Sequence, residues 1–271
     1  VQGLKAWPSL LDIDGHIDTV VIAVPAARVL QTVKDCVSKD VLGCIILSSG
    51  FAEMGEEGAK AQEALSEIAR DTGIRLTGPN CLGSMNLHNN FLATFSGAPS
   101  LQPPIKGGLS IITQSGAFGA HLYYLSTQAR LGVRYVLTTG NESDVQVADA
   151  ILMCANDPET RVIMAYSEGI KDGDRLIEAL EAVAKAEKPV VFMKVGRSEV
   201  GALAATSHTA SLTGEDAVID AIFRQYGVHR AETTEDLVDI AYAVINGKRP
   251  KGRRLGLITI SGGVGVLMSD A

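Results

Sequence analysis

The stretch 19-TVVIAVPAARVLQTVKDCVSKDVLGCIILSSG-50 decides the fold. Its opening, 19-TVVIAVP-25, is a β-branched apolar run ending at a proline, the pattern of a buried strand. In 26-AARVLQTVKDCVSKD-40 the apolar Val29, Val33 and Val37 recur every four residues, which places them on one face of a helix. A second apolar run, 43-GCIILSSG-50, follows. Two strands separated by one helix of this length must pair in parallel through a right-handed crossover. The pattern then continues with a helix over 56-EEGAKAQEALSEIARDTG-73, closed by Gly73, and a third strand over 74-IRLTGPN-80.

Beyond it, 84-SMNLHNNFLATFSGAPSLQPPIKGG-108 has little periodicity and several prolines and glycines, and reads as a connection between domains. The alternation restarts with strands at 109-LSIIT-113, 133-VRYVLTT-139, 161-RVIMAYS-167 and 189-PVVFMKV-195, a helical stretch following each of the first three. Residues 174–185 and 234–245 are the clearest helices. A polar, basic linker, 246-NGKRPKGRR-254, leads to a strand at 255-LGLITI-260 and a glycine-rich turn. The class is α/β with parallel sheets, divided into units at 1–102, 105–246 and 253–271. The first unit lacks a glycine-rich first turn and the last holds one strand and the start of a helix, so the chain reads as a fragment.

The bulk composition agrees. Of 271 residues 46% are hydrophobic but only 5% aromatic, as in the aliphatic cores of parallel sheets. A net charge of −7 with no basic block argues against nucleic acid as a partner. An anionic ligand must then be held by local devices such as helix N-termini. Cys36, Cys44, Cys81 and Cys154 show no CxxC or disulfide-like spacing and read as small buried hydrophobes in a reducing compartment. No run reaches the roughly 18 apolar residues of a membrane span, and Trp7-Pro8, Asp12 and Asp14 break any leader-like run, so a cytosolic protein is expected.

In an open parallel sheet, ligands bind beyond the carboxyl ends of the strands. There 113-TQSGAFG-119 leaves a strand and opens a helix, so that Ser115, Gly116 and Gly119 either aim backbone N–H groups at an anion or form an ordinary turn. The stretch 260-ISGGVGVLMSDA-271 repeats the design with Gly262, Gly263 and Gly265. In 167-SEGIKDG-173, Glu168 sits where a strand has ended, as a functional carboxylate or a solvated loop charge. The loop 140-GNESDVQVAD-149 offers Asn141, Glu142 and Asp144, the last as the cap of the next helix. In 201-GALAATSHTASLTGEDAV-218, His208 stands among small residues, with neither the bulky neighbours of a packed histidine nor other ligands at metal spacing. No metal site is expected. A histidine whose tautomer is fixed by a carboxylate, beside helix N-termini that hold phosphate, is equipped as a phosphoryl acceptor. Hydrolase readings fare worse, since no GxSxG follows a strand and no cysteine lies in an activating setting. A redox enzyme would need GxGxxG with a downstream acid, which is absent. His121 could line an acyl pocket or serve the core, Phe118 and Ala120 could shape acyl specificity, and His16, His88 and His229 read as surface residues.

Taken in order, VPA at 24–26, SSGFAE at 48–53, GPNCLG at 78–83, TQSGAFG, YSEG, SHTASLTG and the terminal SGGVGVLMSDA resemble the nucleoside-diphosphate-forming acyl-CoA synthetases, relatives of succinyl-CoA synthetase. The resemblance covers nearly the whole chain. It implies a partial Rossmann-like CoA-binding domain over 1–102, in which Val24, Pro25, Ala26, Ser48, Ser49, Gly50 and Asn80 contact coenzyme A. It implies a flavodoxin-like ligase domain over 105–246, with His208 transiently phosphorylated, Glu168 orienting it and Ser115-Gly116 cradling phosphate. Residues 253–271 resemble the start of a further domain, where Gly262 and Gly263 give a second cradle. The substrates implied are a small carboxylic acid, CoA and phosphate. The ATP/ADP and Mg²⁺ would be bound by an ATP-grasp domain or subunit absent from this chain, in an oligomeric enzyme, so this chain alone is not expected to turn over. A rival reading is the CoA-sensing regulatory region of a protein lysine acetyltransferase, with a synthetase-like body that has lost its chemistry. The presence of both His208 and Glu168 favours the enzyme.

Overall fold

The apolar runs form strands because pairing and burial satisfy them together. In the computed structural model, which describes residues 2–198, 201, 216–248, 252, 254 and 256–270, Thr19–Ile22 (β1), Gly43–Ile46 (β2) and Arg75–Thr77 (β3) make a parallel sheet in that order. Helices Ala26–Ser38 (α1) and Glu56–Thr72 (α2) connect them, and the core joins Val29, Val33, Cys36 and Leu65 to Ile22, Ile46 and Leu76. Helix α2 ends at Gly73, whose left-handed φ of +77° lets its N–H reach the Ala69 carbonyl. One expectation is softened: β1 is an edge strand with an alternating pattern, so Val21 stays exposed rather than buried on both faces.

The second sheet has seven strands in the order β10-β9-β8-β6-β7-β4-β5. Its centre is Lys106–Thr113 (β6), flanked in parallel by Val133–Thr138 (β7) and Val162–Ser167 (β8), with Val190–Lys194 (β9) and His229–Arg230 (β10) beyond. Alternate residues of β6 serve two cores. Leu109 and Ile111 pack with Leu122 and Tyr123 of Gly116–Gln128 (α4) and with Leu237 and Ala241 of Thr234–Asn246 (α8). Ile112 faces the other core, built with Ile151 of Val147–Asn156 (α5), Leu176 of Gly173–Lys185 (α6) and Phe223 of Asp216–Tyr226 (α7). Each such side chain contributes about 1.5–3 kcal/mol, more than an exposed ion pair at about 0–1 kcal/mol, so these two layers govern the stability of the unit.

The connection expected over 84–108 is not irregular. Gly83–Asn86 (β4) and Phe91–Thr94 (β5) form an antiparallel hairpin, β4 pairs antiparallel with β7, and Ala98–Leu101 makes a short helix (α3). Residues within 1–102 in sequence therefore hydrogen-bond into the second sheet. The physical reason is the burial of Met85 and Leu87 in its core, a signal too short to outweigh the polar residues around it. At Gly83 a Cβ would lie 2.1 Å from the Ala93 carbonyl oxygen, so only glycine allows the hairpin to close. The strand expected at 255–260 is also absent among the described residues there. Ile258 and Ile260 are fully exposed and, among the described residues, pair with no strand, and Gly262–Asp270 follows as a helix (α9).

Candidate active site

The carboxyl ends of both sheets converge on one open cleft of about 290 Å³. The first unit contributes Leu47 and Ser49 after β2, and Asn80, Cys81 and Leu82 after β3. The second contributes Gln114, Ser115, Gly116 and Ala117 after β6, Gly140 and Asn141 after β7, and Glu168 after β8. Five of the site residues expected from sequence thus meet there: Ser49, Asn80, Ser115, Gly116 and Glu168.

Ser115 caps α4, its Oγ accepting from the Phe118 N–H at 3.3 Å. The amides of Gly116 and Ala117 remain as first-turn donors at the positive end of the helix, which is what an anion requires. Gly116 is glycine for a further reason. A Cβ there would lie 2.6 Å from the Leu82 Cβ, so the bare backbone lets the two units approach. Gly119 similarly lets α4 lie on the sheet, since a Cβ would meet Thr113 Oγ1 at 2.7 Å.

Glu168 is buried, and its turn is pinned from below. Its N–H and that of Gly169 donate to Gln114 Oε1 at 2.6 and 3.2 Å, while Gln114 Nε2 donates to the Gly169 carbonyl at 2.8 Å. Lys194 Nζ, buried at the end of β9, donates to the Glu168 carbonyl at 2.8 Å, and burial pulls its pKa down. The Tyr166 hydroxyl lies 3.4 Å from Glu168 Oε1, and burial followed by the nearby Glu168 charge pushes the phenol up, keeping it a proton donor. Cys81 is also held neutral, since burial pushes its thiol up to about 11, so the cleft offers no thiolate nucleophile.

The loop after β7 joins the units. Asn141 Nδ2 donates to Glu53 Oε2 at 2.5 Å and to Gln62 Oε1 at 3.0 Å, and Asn80 Nδ2 donates to Asn141 Oδ1 at 3.2 Å. Burial pushes the Glu53 carboxyl up, but the Gly50, Asn141 and Phe51 donors outweigh it and hold the group below the usual carboxylate range. Glu142 is buried and accepts from Gln114 Nε2, Thr139 Oγ1 and the Val147 N–H at 2.9, 2.9 and 2.8 Å. Burial pushes it up, with those donors and Lys171 opposing. Asp144 does not cap α5 as expected. Its Oδ2 accepts from Arg75 Nε and the Leu76 N–H, and Asp149 caps instead through the Gln146 N–H at 2.8 Å.

Val24, Pro25, Ala26, Ser48 and Gly50 lie beside the cleft rather than in its lining. Ser48 Oγ donates to the Val24 carbonyl at 2.5 Å, and Gly50 adopts φ +106° with Ala26 so close that a Cβ would stand 3.0 Å away, so the two turns form one ridge. Gly262 and Gly263 begin α9 and are not among the residues that line the cleft. His208 lies outside the described residues, whereas Arg197 and Asp216, which bracket it in sequence, pair at 3.4 Å. His121 is exposed on α4, 6.3 Å from the Phe118 ring. Gln114 and Lys194 were not singled out from sequence; the only signal was a polar residue at the end of each apolar strand.

Comparison with known proteins adds the family. The succinyl-CoA ligase-like flavodoxin domain matches residues 106–244, and a CoA-binding domain matches residues 1–86. The chain belongs to the succinyl-CoA ligase-like flavodoxin family. It is 42% identical over 270 residues to the alpha subunit of ADP-forming acetate–CoA ligase II of Pyrococcus furiosus, covering 100% of this chain and 58% of that protein. It is 35% identical over 269 residues to the ADP-forming 4-hydroxybutyrate–CoA ligase of Nitrosopumilus maritimus, covering 98% of this chain and 38% of that one. The structure of the dinucleotide-forming acetyl-coenzyme A synthetase 1 of Ca. Korarchaeum cryptofilum, in complex with phosphate and ADP, matches at a TM-score of 0.91 and 34% identity, over 100% of this chain and 57% of that one. The chain therefore spans 38–58% of the length of these relatives. In this member of the family, the cleft lies where the CoA-binding domain meets the ligase-like flavodoxin sheet. Among the described residues no helix is long and apolar enough to cross a membrane, and no group of His, Cys, Asp and Glu could hold a metal.

Proposed function

We propose that this chain is the CoA-binding and phosphoryl-carrying part of an NDP-forming acyl-CoA ligase, interconverting acyl-CoA, NDP and phosphate with a carboxylic acid, CoA and NTP. The observation that carries the reading is the cleft, in which Ser49 and Asn80 of the CoA side face the capped α4 N-terminus and Glu168. A phosphate oxygen attacks the thioester carbonyl, the C–S bond breaks, and CoA leaves as a thiol after taking a proton. The Gly116 and Ala117 amides hold the phosphate oxygens through this step, where fixed dipoles act most strongly. His208 then attacks phosphorus, the bond to the acyl oxygen breaks, and the carboxylate departs. Glu168 accepts the N–H of the ring, fixing the tautomer and stabilising the phosphorylated imidazole. The ridge of Val24, Pro25, Ala26, Ser48 and Gly50 grips CoA. Gly262 and Gly263 offer a second phosphate cradle, and the division into 1–102, 105–246 and 253–271 is part of the same reading.

The nucleotide and its Mg²⁺ are assigned to an ATP-grasp partner, as a relative that is itself an alpha subunit suggests. The relatives matched along the chain are ligases, which leaves the acetyltransferase-regulator reading without support. The test uses the complete enzyme, incubated with radiolabelled NTP and Mg²⁺. Wild type is expected to carry label on His208 in an acid-labile, base-stable form, and Glu168→Gln to label about 10²-fold more slowly, the scale of losing alignment at a reacting group. An unlabelled wild type, or equal label on His208→Ala, overturns the proposal.

A further inference from the structure

Gln114 lines the cleft, and the reaction above leaves it without a part. It is buried and it saturates its amide: Oε1 accepts from the Glu168 and Gly169 N–H groups, and Nε2 donates to the Gly169 carbonyl and Glu142 Oε2. Three of these four bonds fall on the turn that presents Glu168. The fourth reaches Glu142, next in sequence to Asn141, which holds Glu53, Gln62 and Asn80 of the CoA side. A buried amide with every donor and acceptor used is rigid, because any rotation leaves polar groups unpaired at about 1–3 kcal/mol each.

We infer that Gln114 is a positioning residue: it fixes the Glu168 turn in register with the CoA-binding unit, so that the carboxylate is aligned only when both units are docked. The inference rests on the reading of Glu168 as the group that orients His208. Backbone anchoring suits this task because it fixes the turn through main-chain groups and does not draw on the carboxylate. The bond pattern also fixes the amide's orientation, since only the nitrogen can face a carboxylate and a carbonyl.

The substitution Gln114→Glu tests this in the complete enzyme. One carboxylate oxygen can still accept from the two N–H groups, but the other then faces Glu142 Oε2 and the Gly169 carbonyl, with Lys171 behind Glu142 and Lys194 and Tyr166 about Glu168. Protonation gives that oxygen one O–H, which restores one of the two donations made by the wild-type amide and removes the repulsion of like charges. Burial and the like charge of Glu142 raise the pKa at which this happens. Labelling of His208 by NTP is expected to fall about 100-fold at about pH 8, as for a displaced catalytic group, and to recover at least tenfold relative to wild type by about pH 5.5. Gln114→Leu is expected to show the loss without the recovery. The double variant Gln114→Glu/Glu142→Gln, which supplies a new donor from residue 142, is expected to regain part of the rate at about pH 8.

A Gln114→Glu rate within twofold of wild type overturns the inference, as does an equal loss at all pH values with no recovery in the double variant. If Gln114→Glu does not fold at about pH 8, the double variant decides, since its failure to fold or to label would mean that the pairing with Glu142 is not what Gln114 supplies. Failure of the parent reading is distinguishable, because it shows as unlabelled wild type.

Discussion

Gly116 carries two demands at one position, and they can be separated. In the proposed reaction its amide holds phosphate, while its missing side chain admits Leu82, whose Cβ would stand 2.6 Å from an added Cβ and whose N would stand 3.1 Å away. Neither contact is the far end of a flexible chain, so Gly116→Ala forces the 78–82 loop or the start of α4 to move. Overpacking of this kind costs about 1–3 kcal/mol, whereas the helix propensity gained from alanine is at most about 1 kcal/mol and smaller still at a first-turn position. The steric term wins. Gly116→Ala is expected to lower the midpoint of thermal unfolding and to weaken phosphate dependence of turnover. Gly262→Ala, where nothing lies within 4 Å, is expected to leave stability unchanged or slightly raised. Equal effects at the two glycines in calorimetry would refute this account of Gly116.

At the level of elements, the N-terminus of α4 invites a substitution that keeps the cap and spoils the site. Ser115→Asp retains an oxygen to accept from the Phe118 N–H, and its charge suits the positive helix end, so stability should hold within about 0.5 kcal/mol. If these amides hold phosphate as proposed, the same carboxylate competes with it for Gly116 and Ala117. Turnover of the complete enzyme is expected to require at least tenfold more phosphate, a shift of about 1.4 kcal/mol. An unchanged phosphate requirement in steady-state kinetics would remove α4 from the site. Elements such as β2, β6, β8 and β9 were legible because burial on both faces writes a continuous apolar run. The β4–β5 hairpin was not, because only Met85 and Leu87 point to the core from a polar stretch. The strand expected at 255–260 shows the converse: among the described residues there, the apolar run pairs with no strand. Glu168 and Ser115 were legible from their places after strands. Gln114 was not, since a glutamine's hydrogen bonds are decided only when distant loops close around it.

Taken as a whole, the molecule depends on how the 139–145 loop is stitched to the first sheet. Backbone bonds run from the Asn141, Ser143 and Val145 N–H groups to the Pro79, Gly78 and Leu76 carbonyls, extending the line of β3, and Asn141 adds side-chain bonds to Glu53, Gln62 and Asn80. Asn141→Ala removes those three and leaves the backbone ladder. One of them is to a charged group, so the loss at neutral pH should be about 2–4 kcal/mol. The pH dependence follows from Glu53, whose folded pKa lies below its unfolded one. Its contribution is complete above the unfolded value, about 4.3, and is lost as pH falls through the lower folded value. Asn141→Ala removes one of the donors that depress that pKa while the Gly50 and Phe51 amides remain. The variant's stability should therefore fall less steeply than wild type's between about pH 5 and about pH 3. Urea melts at a series of pH values measure both quantities. A loss under about 0.5 kcal/mol with an unaltered acid slope would mean that the remaining bonds between the units, the backbone ladder and those of Asp144 among them, suffice to hold them, and that Asn141 does not set how the CoA side meets Glu168.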